Sequence, residues 1–130
     1  MAPKKVLVTG VYGLIGSVVY EHLQRTPDRY EVYGLARRRH ASARVPEGHV
    51  ITVPEDRFIL SDLSNLDQVT QALSGMEVVV HMAADPSEEA GWESLLASNI
   101  IGAYHVFEGC RRADVKRIIY ASTTMVSFGY

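Results

Sequence analysis

Val6-Leu7-Val8-Thr9-Gly10-Val11-Tyr12-Gly13-Leu14-Ile15-Gly16 runs an apolar segment directly into three glycines. The order predicts a buried strand, a tight turn and a helix start. A pyrophosphate can lie against backbone N–H groups at a helix N-terminus only where no Cβ stands in the way. Gly10 permits the turn, Gly13 the close approach of an anion, and Gly16 the tight packing of the next helix on the strand. That helix is expected from about Gly13 to Arg25, with Leu14, Val18, Val19 and Leu23 as its apolar stripe. A glycine-rich turn that binds nothing would show the same three glycines. The strand before them and the helix after them favour a dinucleotide site.

Outward from this turn, apolar runs and helical periodicities alternate. Further strands are expected at Glu31 to Ala36, Arg57 to Leu60, Met76 to His81 and Lys116 to Ala121. Helices are expected at Leu66 to Leu73, capped by Ser64 or Asn65, and at Ala90 to Arg112. The latter carries Trp92, Leu95, Leu96, Ile100, Ala103, Val106, Phe107 and Cys110 as its apolar face. Arg37 to Asp56 is polar and broken by Pro46, Gly48 and Pro54, with a short extra strand expected at His49 to Val53. Such alternation predicts an α/β fold: a doubly wound, mostly parallel, Rossmann-like sheet of order 3-2-1-4-5, in three α/β/α layers. Residues 1–130 read as one dinucleotide-binding domain. Its ligand crevice lies at the switch point between the first and fourth strands, outside their carboxyl ends.

Composition narrows the function classes. A net charge of −2 and a pI near 6.2 supply no electrostatic reason to expect nucleic acid or an anionic membrane as partner. The single cysteine, Cys110, forms no internal disulfide and no metal framework, so a reducing, cytoplasmic setting and no metal are expected. No apolar segment approaches the length of a membrane span.

Five stretches on the predicted rim carry a resemblance. They are the glycine motif, Ser61-Asp62-Leu63, His81-Met82-Ala83-Ala84, Asn99-Ile100-Ile101-Gly102, and Val115 to Thr124. In that order they resemble the N-terminal part of an extended short-chain dehydrogenase/reductase, of the NAD-dependent epimerase/dehydratase family that includes uronate dehydrogenases. The resemblance covers essentially all 130 residues. It implies an NAD(P)-binding Rossmann domain, truncated before the rest of an oxidoreductase, epimerase or dehydratase acting on a sugar-like or hydroxyl/carbonyl substrate.

Each rim residue has its own chemistry. With Gly10, Gly13 and Gly16, the residues Tyr12, Leu14 and Ile15 form the expected cofactor turn. Asp62 offers a carboxylate to the adenine amino group, with Leu63 covering the ring; equally, Asp62 caps a turn before the next helix. Ala83 and Ala84 are small where the ribose and nicotinamide would pass, or simply pack closely at a strand end. His81, ending an apolar strand, reads as a satisfied structural histidine rather than a catalyst. Asn99 lies among apolar residues, where an amide must be hydrogen-bonded; it either supports the site loops, as the resemblance implies, or serves as an ordinary buried amide. The acid that would grip a ribose 2′-OH is missing after the second strand: Ala36 stands there, followed by Arg37 and Arg38. A guanidinium suits a 2′-phosphate, so NADP is favoured over NAD, although a solvated basic loop has the same sequence.

For catalysis the resemblance implies a Ser or Thr on the substrate oxygen, a proton-transferring Tyr, and a Lys four residues later. Thr123 matches the first role, with Ser122 and Thr124 as neighbouring registers. The residues four positions after the tyrosines are Gly16, Gln24, Gly34, Arg37, Glu108 and Thr124, and none is lysine. Tyr130, seven residues past Thr123, lies closer to it than the family pattern places its tyrosine. These residues are therefore expected to bind a dinucleotide and to be catalytically incomplete, with the small-molecule substrate met only in a full-length parent. A nucleotide-sensing or assembly module is the reading from another class, and an atypical flavin or biliverdin-type reductase a third. Self-association through the apolar last strand is also expected.

Overall fold

The apolar run after Lys4-Lys5 becomes β1 (Lys4–Thr9), the centre of a five-stranded sheet in the computed structural model, which describes residues 1–129. β1 pairs in parallel with β2 (Tyr30–Ala36) on one side and β4 (Val78–His81) on the other. β3 (Phe58–Leu60) and β5 (Arg117–Tyr120) complete the order β3-β2-β1-β4-β5, the predicted 3-2-1-4-5. Register aligns Thr9 with Leu35 and with His81, so the carboxyl ends of the three central strands finish level.

Both faces of β1 are buried, which is why it reads as a continuous apolar run rather than an alternation. Leu7 joins Leu35 and Val79 in one core cluster. It is covered by Val69 of α2 (Leu66–Ala72) and by Val106 and Cys110 of α4 (Gly102–Arg112). Val6 and Val8 join Val32, Val80 and Tyr20 of α1 (Leu14–Gln24) on the opposite face. The three α/β/α layers of a doubly wound fold follow.

Three expectations need correction. The buried face of α1 is Gly16, Ser17 and Tyr20, with Val19 and Leu23 alongside, whereas Leu14 and Val18 are exposed. The need to seat Gly16 against the glycine turn sets the helix phase, and that phase rotates Leu14 and Val18 outward. No strand forms at His49 to Val53; one-turn 3₁₀ segments at Glu47–His49 and Glu55–Arg57 flank an irregular link. The Val53 amide donates to the Tyr12 hydroxyl at 3.3 Å instead of to a neighbouring strand. The long helix begins as a short α3 (Trp92–Ser94), widens to π-type winding over Leu95–Ile101 and continues as α4. The wider turn shifts the faces, so burial falls on Gly102, Val106, Gly109 and Cys110, while Trp92, Ile100 and Phe107 are exposed.

Candidate functional site

Gly10 leaves β1 with φ +64°, a left-handed conformation that side chains disfavour. A Cβ there would stand 2.9 Å from both Cα and N of Ala83, so β1 and β4 meet across the crevice at backbone contact. At Gly16 a Cβ would lie 2.0 Å from the Gly10 carbonyl oxygen. Both positions therefore require glycine for packing, and the same packing brings the first turn of α1 up against the loop. Gly13 caps α1, its amide donates to Gly10 O at 2.9 Å, and no acidic residue occupies the first turn. The unpaired N–H groups that open a helix, with its dipole, suit an anion.

Below the crevice lies a group that sequence reading passed over. Thr9, wholly buried, accepts hydrogen bonds from the amides of Met82 (3.0 Å) and Ala83 (3.1 Å), and its hydroxyl lies 2.7 Å from His81 Nδ1. Because the oxygen already accepts twice, its proton goes to Nδ1, which makes His81 the neutral Nε2–H tautomer. Burial lowers His81 to about 4. The ring stacks on Tyr120 at 5.8 Å between centroids, the setting of a structural histidine. A threonine at the end of a buried strand, directly before Gly10, was the available signal.

The loop after β4 is tied to the π-type turn. Asn99 accepts from the Asp85 amide at 2.7 Å and donates to the Asp85 carbonyl at 3.0 Å, so its side chain holds the Asp85 backbone in both directions. The Asp85 carboxylate accepts from the Ser94 hydroxyl and, at 3.0 Å, from the Ser87 amide; these bonds hold it below the usual carboxylate range, with Arg37 and Arg44 adding to the effect. Asp85-Pro86-Ser87 is a turn signature that sequence reading did not use.

The remaining predicted residues are placed as follows. Asp62 is exposed beyond β3, and one of its oxygens takes the hydroxyl and amide of Ser64, bonds that lower it, with Arg37 contributing less. This is turn-capping geometry on an exposed side chain. Leu63 is buried, its side chain packed at Gly102 within the core, and His105 Nδ1 lies 2.5 Å from its carbonyl oxygen. The Tyr12 side chain is also turned into the core, 5.5 Å from Phe58 between ring centroids, which leaves its backbone for the crevice. Leu14 and Ile15 are exposed at the start of α1. Ala83 is half-buried and Ala84 exposed on the opposite wall.

Arg37 and Arg38 are exposed after β2 and belong to none of the described ion pairs, whereas Arg39 pairs with Glu55 at 3.3 Å and lies over Phe58. Thr123 accepts from the Met125 amide at 3.1 Å at the start of a 3₁₀ turn, Thr124–Ser127, leaving its own proton to donate. Tyr130 lies outside the described residues. Among those described, no cluster of three His, Cys, Asp or Glu side chains is arranged to hold a metal ion, and no helix is long and apolar enough to cross a membrane.

A parallel sheet of this order, with a glycine turn and a helix N-terminus at its switch point, defines a Rossmann-type dinucleotide-binding fold. Over residues 6–127 the chain matches the NAD dependent epimerase/dehydratase family, and it belongs to that family. It is 34% identical to the L-arabinose 1-dehydrogenase (NAD(P)(+)) of Haloferax volcanii over 122 residues, which are 94% of this chain and 42% of that protein. Similarity to the uronate dehydrogenase of Pseudomonas putida is 29% identity, over 92% of this chain and 40% of the relative. A mutant uronate dehydrogenase from Agrobacterium tumefaciens, solved as a complex with NAD, superposes with a TM-score of 0.73 at 29% identity, over 94% of this chain and 42% of that one. The chain thus spans about two-fifths of the length of the relatives it matches.

Proposed function

We propose that residues 1–130 are the NAD(P)-binding domain of an NAD(P)-dependent oxidoreductase, epimerase or dehydratase acting on a sugar-like or hydroxyl/carbonyl substrate. The observation that carries this reading is the Gly10 turn, where two Cβ-free positions, Gly10 against Ala83 and Gly16 against Gly10, hold a helix N-terminus close to the turn and to the Ala83 backbone. In this reading the pyrophosphate lies on Gly10, Gly13 and the backbone of Tyr12, Leu14 and Ile15, with Gly16 keeping the helix close. Adenine lies near Asp62 and Leu63, and the nicotinamide ribose passes Ala83 and Ala84 on the loop that Asn99 holds. Hydride exchange at the nicotinamide is the chemistry the cofactor supplies when bound. Thr123 donates a hydrogen bond to the substrate oxygen. The proton-transferring tyrosine and lysine are not among residues 1–130, so these residues bind without turning over.

Arg37 and Arg38 favour NADP, because both are exposed just after β2 and neither enters an ion pair among the described residues. The lone buried Cys110 suits a reducing compartment such as the cytoplasm. Exposed Ile119 and Tyr120 on β5 support self-association.

Calorimetric titration with NAD(H) and NADP(H) tests the reading. Saturable binding of both is expected, tighter for NADP(H), with the difference erased in Arg37→Gln/Arg38→Gln. No saturable heat with either pair would overturn dinucleotide binding, and tighter NAD(H) binding would overturn the NADP preference.

A further inference from the structure

The dinucleotide reading gives the crevice a floor, the glycine turn, and one wall at Ala83 to Asp85. The polar stretch after β2 supplies a third side. Its Ser42 amide donates to the Tyr12 carbonyl at 2.9 Å, its Val45 amide donates to Ser42 O at 2.9 Å, and the Val45 side chain is buried. The segment is therefore fastened to the glycine turn itself and is not a free loop. From it Arg44 reaches across, and its guanidinium donates to the Pro86 carbonyl at 3.5 Å, on the loop that follows the opposite wall.

We propose that Arg44 clamps the pyrophosphate of a bound dinucleotide from the side facing away from the glycine turn, exchanging its contact with Pro86 for the phosphate oxygens. This rests on the dinucleotide reading of the crevice. Three observations carry it beyond that reading. The Arg44–Pro86 contact joins the two sides of the crevice, one anchored on the Tyr12 carbonyl of the turn and the other continuing from Ala83. At 3.5 Å to a neutral carbonyl it is long, whereas guanidinium–phosphate bonds form at about 2.7–2.9 Å, are charge-assisted and are frequently bidentate. Arg44 is exposed and enters none of the described ion pairs, so its charge is not already neutralised by a bonded carboxylate. The Asp85 carboxyl on this wall is lowered first by its bonds from Ser94 and Ser87 and, to a smaller extent, by the charges of Arg37 and Arg44.

Arg44 and the Arg37-Arg38 pair are distinguished by what they would read. The pair follows β2, where a 2′-phosphate would lie, and so discriminates NADP from NAD. The pyrophosphate is common to both cofactors, and Arg44 supports them equally.

The test is calorimetric titration of the full 130-residue chain and its Arg44→Gln and Arg44→Lys variants with NAD+, NADP+, ADP-ribose and adenosine. Arg44→Gln is expected to weaken NAD+, NADP+ and ADP-ribose alike, by about tenfold or more, the scale of one lost charge-assisted hydrogen bond. Arg44→Lys recovers part of the loss. Adenosine binding and the melting temperature of the free protein stay unchanged, which a purely structural latch on Pro86 would not allow. Unchanged affinity of Arg44→Gln for both cofactors overturns the clamp while leaving the crevice reading intact. A loss confined to NADP+ also overturns it and moves Arg44 to the 2′-phosphate. A wild-type chain that binds none of the dinucleotides overturns the crevice reading, and the clamp falls with it.

Discussion

Gly16 shows how one missing Cβ governs both packing and site. Because a methyl there would meet the Gly10 carbonyl oxygen at 2.0 Å, Gly16→Ala must push α1 off the turn. Destabilisation of about 2–3 kcal/mol is expected in urea unfolding, the ordinary cost of overpacking, with loss of dinucleotide binding. Gly48 has open space around it, and Gly48→Ala is expected to change stability by less than about 0.5 kcal/mol. His81 gives a pH signature. Its folded value of about 4 lies below the unfolded 6.5, so the unfolded chain takes up the proton first as pH falls. Its contribution is fully present above pH 6.5 and is lost as pH drops to about 4, to a limit of about 3 kcal/mol. Unfolding measured at pH 7, 5.5 and 4.5 should show this slope, flattened in His81→Asn. The glycines were legible because their chemistry is local. Thr9 was not, because its importance comes from Met82, Ala83 and His81, over seventy positions away.

At the scale of elements, the π-type turn between α3 and α4 explains why Asn99 faces the loop after β4. An uninterrupted helix from Ala90 to Arg112 was the expectation, since periodicity averages over a single wide turn. The apolar character of the segment was legible, but the rotation that exposes Trp92 and Ile100 was not. Asn99→Ala removes both bonds to the Asp85 backbone. Hydrogen exchange is expected to quicken at the Asp85 amide by about tenfold or more, while the Ala83 amide, held by Thr9, keeps its protection. Equal acceleration at both would show that Asn99 does not act through Asp85. The segment His49 to Val53 illustrates the converse: a short extra strand was the expectation, but Val53 finds a core site and a side-chain acceptor instead.

For the whole molecule, α2 and α4 cover one face of the sheet, and α1 with Ile51 and Val53 of the link covers the other. β5 pairs only with β4 among the described residues, and Ile119 and Tyr120 are about half exposed. Met125, Val126 and Phe128, further along the chain, are exposed as well. Sedimentation velocity is expected to show concentration-dependent association, reduced in Ile119→Lys; a clean monomer at high concentration would count against it.

Sequence alone determined the sheet order, the glycine cradle and the family, because strand alternation, right-handed crossovers and Cβ-free contacts are written in local residue types and their order. Only the tertiary structure decided the phase of α1, the widened turn that aims Asn99, the Thr9–His81 tie beneath the crevice and the reach of Arg44 to Pro86. Those features depend on packing between segments far apart in the chain. A residue's own chemistry states what it can bond to, but the fold selects the partner.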